Sequence, residues 1–294
     1  MSRSPRPVTR LHTDGRIGAI DLTWRLASWE PLVDHYAVYA SESADVEPVP
    51  ENLIGKTVYG RFTHATLGPE KQTRHYTIVT VDAAGERSGA SRTVDGTTEE
   101  SLVVRGRPLA QVGKFDSKSL ELALAPADYA LYAARFPKGV DFTVGKSNPR
   151  TDWSYLHPGP ADSWAGRKQH TFAMRFSLQA EPEEELGLAI WLIDTHATAA
   201  GKATLAVNDT DTVEIEFRGG ATRGSLEGDA TVPGTALRPS FVELRLPARD
   251  FVRGENVISI TKTEGSWHAY DAVGVFAPGA ETPDAGDTAF IAGR

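Results

Sequence analysis

Two tryptophans, a tyrosine, a histidine and two aspartates crowd into the stretch DWSYLHPGPADSW, Asp152–Trp164, around a Pro-Gly-Pro turn. Neither the 3.6-residue period of a helix nor the two-residue period of a strand fits it, so it reads as a loop. Flat aromatic rings beside a few fixed polar groups suit a pyranose, which offers an apolar face and a rim of hydroxyls. Trp153, Tyr155, His157, Trp164 and Asp152 are the expected contacts, with Arg150 and Lys146 adding positive charge. Pro158 and Pro160 would stiffen the loop and lower the entropy lost on binding. The competing expectation is that a tryptophan such as Trp153 folds inward to seal one end of a sandwich. Trp191, in the middle of LGLAIWLID, is expected to be buried, and Trp267 is expected to be structural, packed at the same end as the loop.

The same neighbourhood holds groups for other chemistry. β-Elimination from a uronate needs a cation to neutralise the carboxylate and a base to take the C5 proton. Arg150, Arg167 and Lys168 could do the first, and Tyr155, His157 and His170 the second. Hydrolysis needs two carboxylates across a sugar bond, for which Asp152 and Asp162 are the candidates, although an Asp in such a position more often caps backbone N–H groups. No Gly-x-Ser-x-Gly elbow, Gly-rich phosphate loop or His-Glu-x-x-His motif occurs.

The chain has 294 residues, 40% hydrophobic and 24% charged, and no cysteine. That is an ordinary globular composition with room for two domains, and it excludes disulfides and thiolate chemistry. A net charge of −8 argues against nucleic acid as a partner. Charge is unevenly spread: residues 105–175 carry 11 Lys and Arg against 6 Asp and Glu, so the basic part of the chain contains the aromatic loop. No apolar run is long enough to span a bilayer. The opening MSRSPRPVTRLH lacks the apolar core of a secretory signal, which leaves either a cytoplasmic chain or part of a longer exported one.

Around these residues the pattern is all-β. GAIDLTWRL, DHYAVYAS and RHYTIVTVDAAG alternate in period two and bury Ile20, Leu22, Trp24, Tyr36 and Val38. His12, His35, His64 and His75 lie in or beside these runs and are expected to be structural or exposed. DGTTEES reads as a short linker. HTFAMRFSL, LGLAIWLID, KATLAVND, TVEIEF, SFVELRLP and NVISITKT then form a second set of strands, for which a jelly roll of eight to ten strands is the natural closure. LELALAPADYALYAARF could be a broken helix, but Pro126 and the alternation of Leu120, Leu122 and Leu124 favour strands.

LTW, HYAVYAS and HYTIVTVDAAGERSGAS resemble a fibronectin type III domain over Val8–Val94. The second part resembles the C-terminal carbohydrate-binding-like, galactose-binding-like jelly roll of rhamnogalacturonan lyases, polysaccharide lyase family 4. GKFDSKSLEL, FTVGKSNPRTDWSYLHPG, FVRGENVISI and GSWHAYDAVGVF carry that resemblance. The expected organisation is a fibronectin type III-like domain over 1–97, a linker at 98–101, the jelly roll over 102–278 and a tail at 279–294. In that family a fibronectin-like domain precedes the jelly roll, and the catalytic groups lie on a large N-terminal β domain that nothing here matches. The resemblance therefore implies an accessory, non-catalytic part of an exported lyase acting on an acidic polysaccharide, with a catalytic lyase domain or chain as partner. The alternatives are that the chain is itself a lyase, or that it only packs on a catalytic domain. Jelly rolls of this kind often hold a structural calcium, and Asp271, Asp116 and Asp194 are the candidate ligands.

Overall fold

The computed structural model describes residues 4–26, 32–65, 67–208, 210, 213–221 and 237–279. The chain divides into two units, Met1–Val104 and Arg105–Arg294. Among the described residues no helix is long and apolar enough to cross a membrane.

The first unit has seven strands: β1 (Thr9–Arg16), β2 (Ala19–Arg25), β3 (Val33–Ser41), β4 (Leu53–Thr57), β5 (Arg61–His64), β6 (Thr73–Asp82) and β7 (Val94–Thr97). They form a three-stranded sheet, β1-β2-β5, and a four-stranded sheet, β4-β3-β6-β7. This is a fibronectin type III-like sandwich. Alternation directs Ile20, Leu22 and Trp24 of one sheet onto Tyr36, Val38, Tyr76 and Ile78 of the other, with the Trp24 ring edge-on to Tyr36 at 5.6 Å. His64 meets the Tyr76 hydroxyl at 3.0 Å, and burial with Arg74 nearby lowers its pKa to about 4.

The expected linker is part of this unit. Asp95–Thr97 lie in β7, paired with β6. Thr98 Oγ1 accepts from Gln72 N–H at 2.8 Å and donates to Glu70 O at 3.0 Å, and Ser101 N–H donates to Pro69 O. A small polar composition suggested a free connection, but backbone partners distant in sequence hold the segment down. The expected tail, beyond residue 279, lies outside the described residues.

The second unit holds β8 (Arg107–Gly113), β9 (Val140–Thr143), β10 (Leu156–His157), β11 (His170–Leu178), β12 (Leu186–Thr195), β13 (Lys202–Val207), β14 (Val213–Glu216), β15 (Ser240–Leu246), β16 (Gly254–Lys262) and β17 (His268–Ala277). One sheet runs β14-β13-β16-β11-β9. In the other, β12 lies between β15 and β17, and the far edge of β17 is shared by β10 and β8. Two such layers make a jelly-roll sandwich. β12 is buried along its whole length. One face meets the core, and on the other Trp191 lies under Phe115 and Phe241 at 5.2 and 4.6 Å. The segment read as strands around Leu120–Leu124 is instead a run of turns. It leads into a 3-10 turn, Tyr129–Leu131, and one helical turn, Tyr132–Arg135. Only Ala123 bridges to a neighbour, Ser154, so the segment lacks a partner strand to make alternation count.

Among the ionisable groups buried in this unit, Asp271 and Lys262 tie its loops to its strands. Asp271 accepts backbone N–H bonds from Ser117 (3.1 Å), Lys118 (3.0 Å) and, at longer range, Asp116 (3.4 Å), which ties β17 to the loop after β8. This arrangement does not fit the expected calcium. A cation needs oxygen lone pairs facing it, and those of Asp271 face N–H donors. Asp116 Oδ1 accepts from Lys118 N–H, Asp194 Oδ1 accepts from Ala221 N–H, and among the described residues no three acidic, His or Cys groups are placed to hold a metal. Burial pushes the Asp271 carboxyl up to about 8 against the pull of its N–H donors, with Asp116 adding repulsion. Lys262, fully buried at the end of β16, donates to Ala200 O and stands 4.2 Å over the Phe217 ring. Burial lowers it to about 7, partly offset by Asp162.

Asp271→Ala leaves up to three backbone donors unsatisfied and should lower the unfolding free energy by about 2–4 kcal/mol in urea titration. EGTA should leave the wild-type midpoint unchanged, and a midpoint lowered by EGTA contradicts this account. For Lys262 the unfolded chain holds its proton up to pH 10.5 and the folded chain only to about 7. The unfolded state therefore binds more protons in that window, and raising pH favours the fold. Asp271 acts in the opposite direction, but only below about pH 8. Between pH 8 and 10.5, wild type should gain on Lys262→Met by an amount on the order of 2–3 kcal/mol. A flat difference contradicts it.

Candidate functional site

The aromatic loop turns inward. Leu156 and His157 are β10 and pair with Ala269 and His268 of β17, so the chain here is a strand inside the sandwich. Trp153 is 1% exposed and sits edge-on to Phe142, Phe172 and Tyr270 at 5.2–6.0 Å. Tyr155 and His157 are fully buried. The His157 ring stacks on Phe172 at 3.8 Å. Its Nε2 meets His170 O at 2.8 Å, so Nε2 carries the proton, and Nδ1 accepts from the Tyr270 hydroxyl at 2.9 Å. Burial holds its pKa well below the ordinary value. His170 is committed in the same way, Nε2 to Ala165 O and Nδ1 to the Tyr132 hydroxyl.

The expectation that Trp153, Tyr155 and His157 grip a sugar is therefore corrected. Pairing with β17 takes them into the core, where no ring face is open. Asp152 is a capping residue: its Oδ2 accepts Asn148 N–H (2.8 Å), while Asn148 Oδ1 accepts Arg150 N–H (3.0 Å). Arg150 and Lys146 are exposed in the neighbouring turns. Asp162 faces Ser266 and Gly159 rather than Asp152, so the two carboxylates do not form a hydrolytic pair.

Of the seven expected residues, Trp164 lines an open feature. A depression of about 410 Å³ is bounded by Tyr129, Leu156, Ala161, Asp162, Ser163, Trp164, His196, Ala199, Ser266 and Trp267. Trp164 sits in a 3-10 turn, Ser163–Ala165, stopped by Gly166 in the left-handed region at φ 89°. Its ring meets Tyr129 edge-on at 5.2 Å. Trp267, almost wholly buried, contributes one wall and contacts the His196 ring at 6.0 Å.

Three loops make the floor, and they touch through backbone. Ala161 N–H donates to Gly265 O, Ser266 N–H to Ala199 O, and His196 N–H to Trp267 O. A Cβ on Gly159 would stand 2.4 Å from Gly265 O, and Gly265 itself has φ 76°. Only glycine permits this approach. Asp162 fastens the assembly by accepting Gly159 N–H at 2.8 Å and the Ser266 hydroxyl at 2.5 Å. His196 Nδ1 accepts backbone N–H from Thr198 (3.3 Å) and Ala199 (3.1 Å), which places its proton on Nε2. Sequence reasoning missed Tyr129, His196 and Ser266. The only signal for His196 was its place at the end of the apolar β12 run, just before the ATAAG turn.

The family model described as "CBM-like: Polysaccharide lyase family 4, domain III" matches residues 108–275. No curated protein matches the chain. Among solved structures, the β-1,2-glucanase of Parabacteroides distasonis is similar over 33% of this chain and 13% of its own, at 23% identity and a TM-score of 0.27. A family 35 carbohydrate-binding module of Cellvibrio japonicus is similar over 38% of this chain and 70% of its own, at 14% identity and a TM-score of 0.25. The fourth FNIII domain of a human protein is similar over 34% and 86%, at 15% identity and 0.26. The chain thus spans about 13% of the glucanase's length. These overlaps are partial, and the assignment rests on the family match, which spans more than half of the chain. The chain belongs to the family of CBM-like domains that form domain III of polysaccharide lyase family 4.

Proposed function

We propose that this chain is the accessory, non-catalytic part of an extracellular polysaccharide lyase that acts on rhamnogalacturonan or a similar acidic polysaccharide. Its role is to hold the polymer for a catalytic lyase domain or partner chain. The observation that carries this reading is the open depression beside the Trp164–Tyr129 pair, in a domain of carbohydrate-binding type. A sugar ring needs an aromatic surface and a few fixed polar groups, and both occur there. Arg167 and Lys168, exposed just after the turn that presents Trp164, add attraction for an acidic chain. The state of the candidate bases supports a non-catalytic role: Tyr155 is fully buried, and His157 and His170 have both ring nitrogens engaged inside the fold.

A second reading has an observation of its own. Burial of Trp153, Tyr155 and His157 is what a module that only packs against a catalytic domain would show. Affinity electrophoresis separates the two. Rhamnogalacturonan in the gel should retard the chain, and Trp164→Ala should weaken binding by about tenfold or more; because the ring also packs against Tyr129 and Tyr132, the melting midpoint should fall too, and the gels are run well below it. An absence of retardation on every acidic polysaccharide tested would favour the packing role. Release of an unsaturated product, seen by absorbance, would instead make the chain a lyase.

A further inference from the structure

The depression differs in chemistry from the basic surface around it. Its lining holds one carboxylate, Asp162, and no lysine or arginine. Both Asp162 oxygens are already bonded, to Gly159 N–H and the Ser266 hydroxyl, so the carboxylate is held in place in the lining. Lys262, which attracts Asp162, is buried and donates to Ala200 O rather than into the depression. A carboxylate entering here would lose water, meet Asp162 and find no lysine or arginine in the lining to pair with.

Two polar groups of the lining have their roles fixed by the fold, His196 as a donor and Ser266 as an acceptor, beside the Ser163 and Tyr129 hydroxyls, which can do either. The His196 ring has its Nδ1 turned onto the amides of Thr198 and Ala199, so Nε2, on the far side of the ring, is a fixed N–H donor with no partner among the described residues. The Ser266 hydroxyl gives its proton to Asp162, which leaves its oxygen as an acceptor. A sugar hydroxyl both accepts and donates, and a carboxylate only accepts. Resting on the carbohydrate-binding reading above, we infer that the depression selects an uncharged sugar ring, stacked at Trp164 and fixed by His196 Nε2–H. The acidic residues of the same polymer stay outside, near Arg167 and Lys168. His196 is the specificity-determining residue of the site.

The test uses the full chain and calorimetric titration with matched oligosaccharides of glucose, galactose and mannose configuration, each pair differing only in CH2OH or carboxylate at C6. At physiological ionic strength the neutral member of a pair should bind about tenfold or more tighter. His196→Asn keeps an acceptor for the Thr198 and Ala199 amides but removes the Nε2 donor. It should lose about tenfold in affinity for the neutral member, the equivalent of one neutral hydrogen bond, with an unchanged melting midpoint. Retardation by acidic polymers that salt abolishes, neutral oligosaccharides do not compete with and His196→Asn does not alter overturns this inference and leaves the carbohydrate-binding reading standing. No retardation and no titration heat with any saccharide overturns both.

Discussion

Everything at the working end of the second unit depends on the pairing of Leu156 and His157 with the start of β17. That short strand draws Trp153 and Tyr155 into the core between the sheets, where the Trp153 ring meets Phe172 and Tyr270 and Tyr155 O accepts Tyr270 N–H. It also sets where the chain emerges. The Pro158-Gly159-Pro160 turn lies against Gly265, Asp162 then closes on Gly159 and Ser266, and the next 3-10 turn leaves Trp164 half-buried beside Tyr129, on the rim of the depression. One buried pairing thus decides which aromatic rings seal the sandwich and which are offered outward.

The ionisable groups of the core serve the same end. Asp271 holds β17 to the loop after β8, and the buried Lys262 ties the end of β16 to the loop that carries Ala199 and Ala200. Breaking either leaves a buried polar group unpaired, which costs more than the bond itself contributes. The floor beneath Trp164 is therefore rigid for a reason that lies one layer below it. On the proposed reading, ring stacking would benefit, because an already ordered surface loses little entropy when a sugar settles on it.

Much of this was legible in the sequence and some was not, for one physical reason. Alternation in GAIDLTWRL and HTFAMRFSL records a single buried face, and both are strands with that face in the core. Trp191, in a run without polar interruption, is buried as its neighbours imply. DWSYLHPGPADSW carries no period, because only two of its residues are strand and their partner lies more than a hundred positions away. The same blindness to distant partners turned the hydrogen-bonded segment at Thr98 into a linker, and read Asp271 as a metal ligand when its partners are backbone amides. His196 was invisible for the converse reason. Its proposed role rests on which ring nitrogen faces two amides, and residue type alone says nothing of that.

The division between inward and outward rings is the central claim, and the indole N–H resonances of the tryptophans report on it directly. Titrating the isotope-labelled chain with rhamnogalacturonan oligosaccharides should shift the Trp164 resonance, with a smaller effect at Trp267, and leave those of Trp153 and Trp191 in place. A saturable shift centred on Trp153, with Trp164 unmoved, would contradict the account.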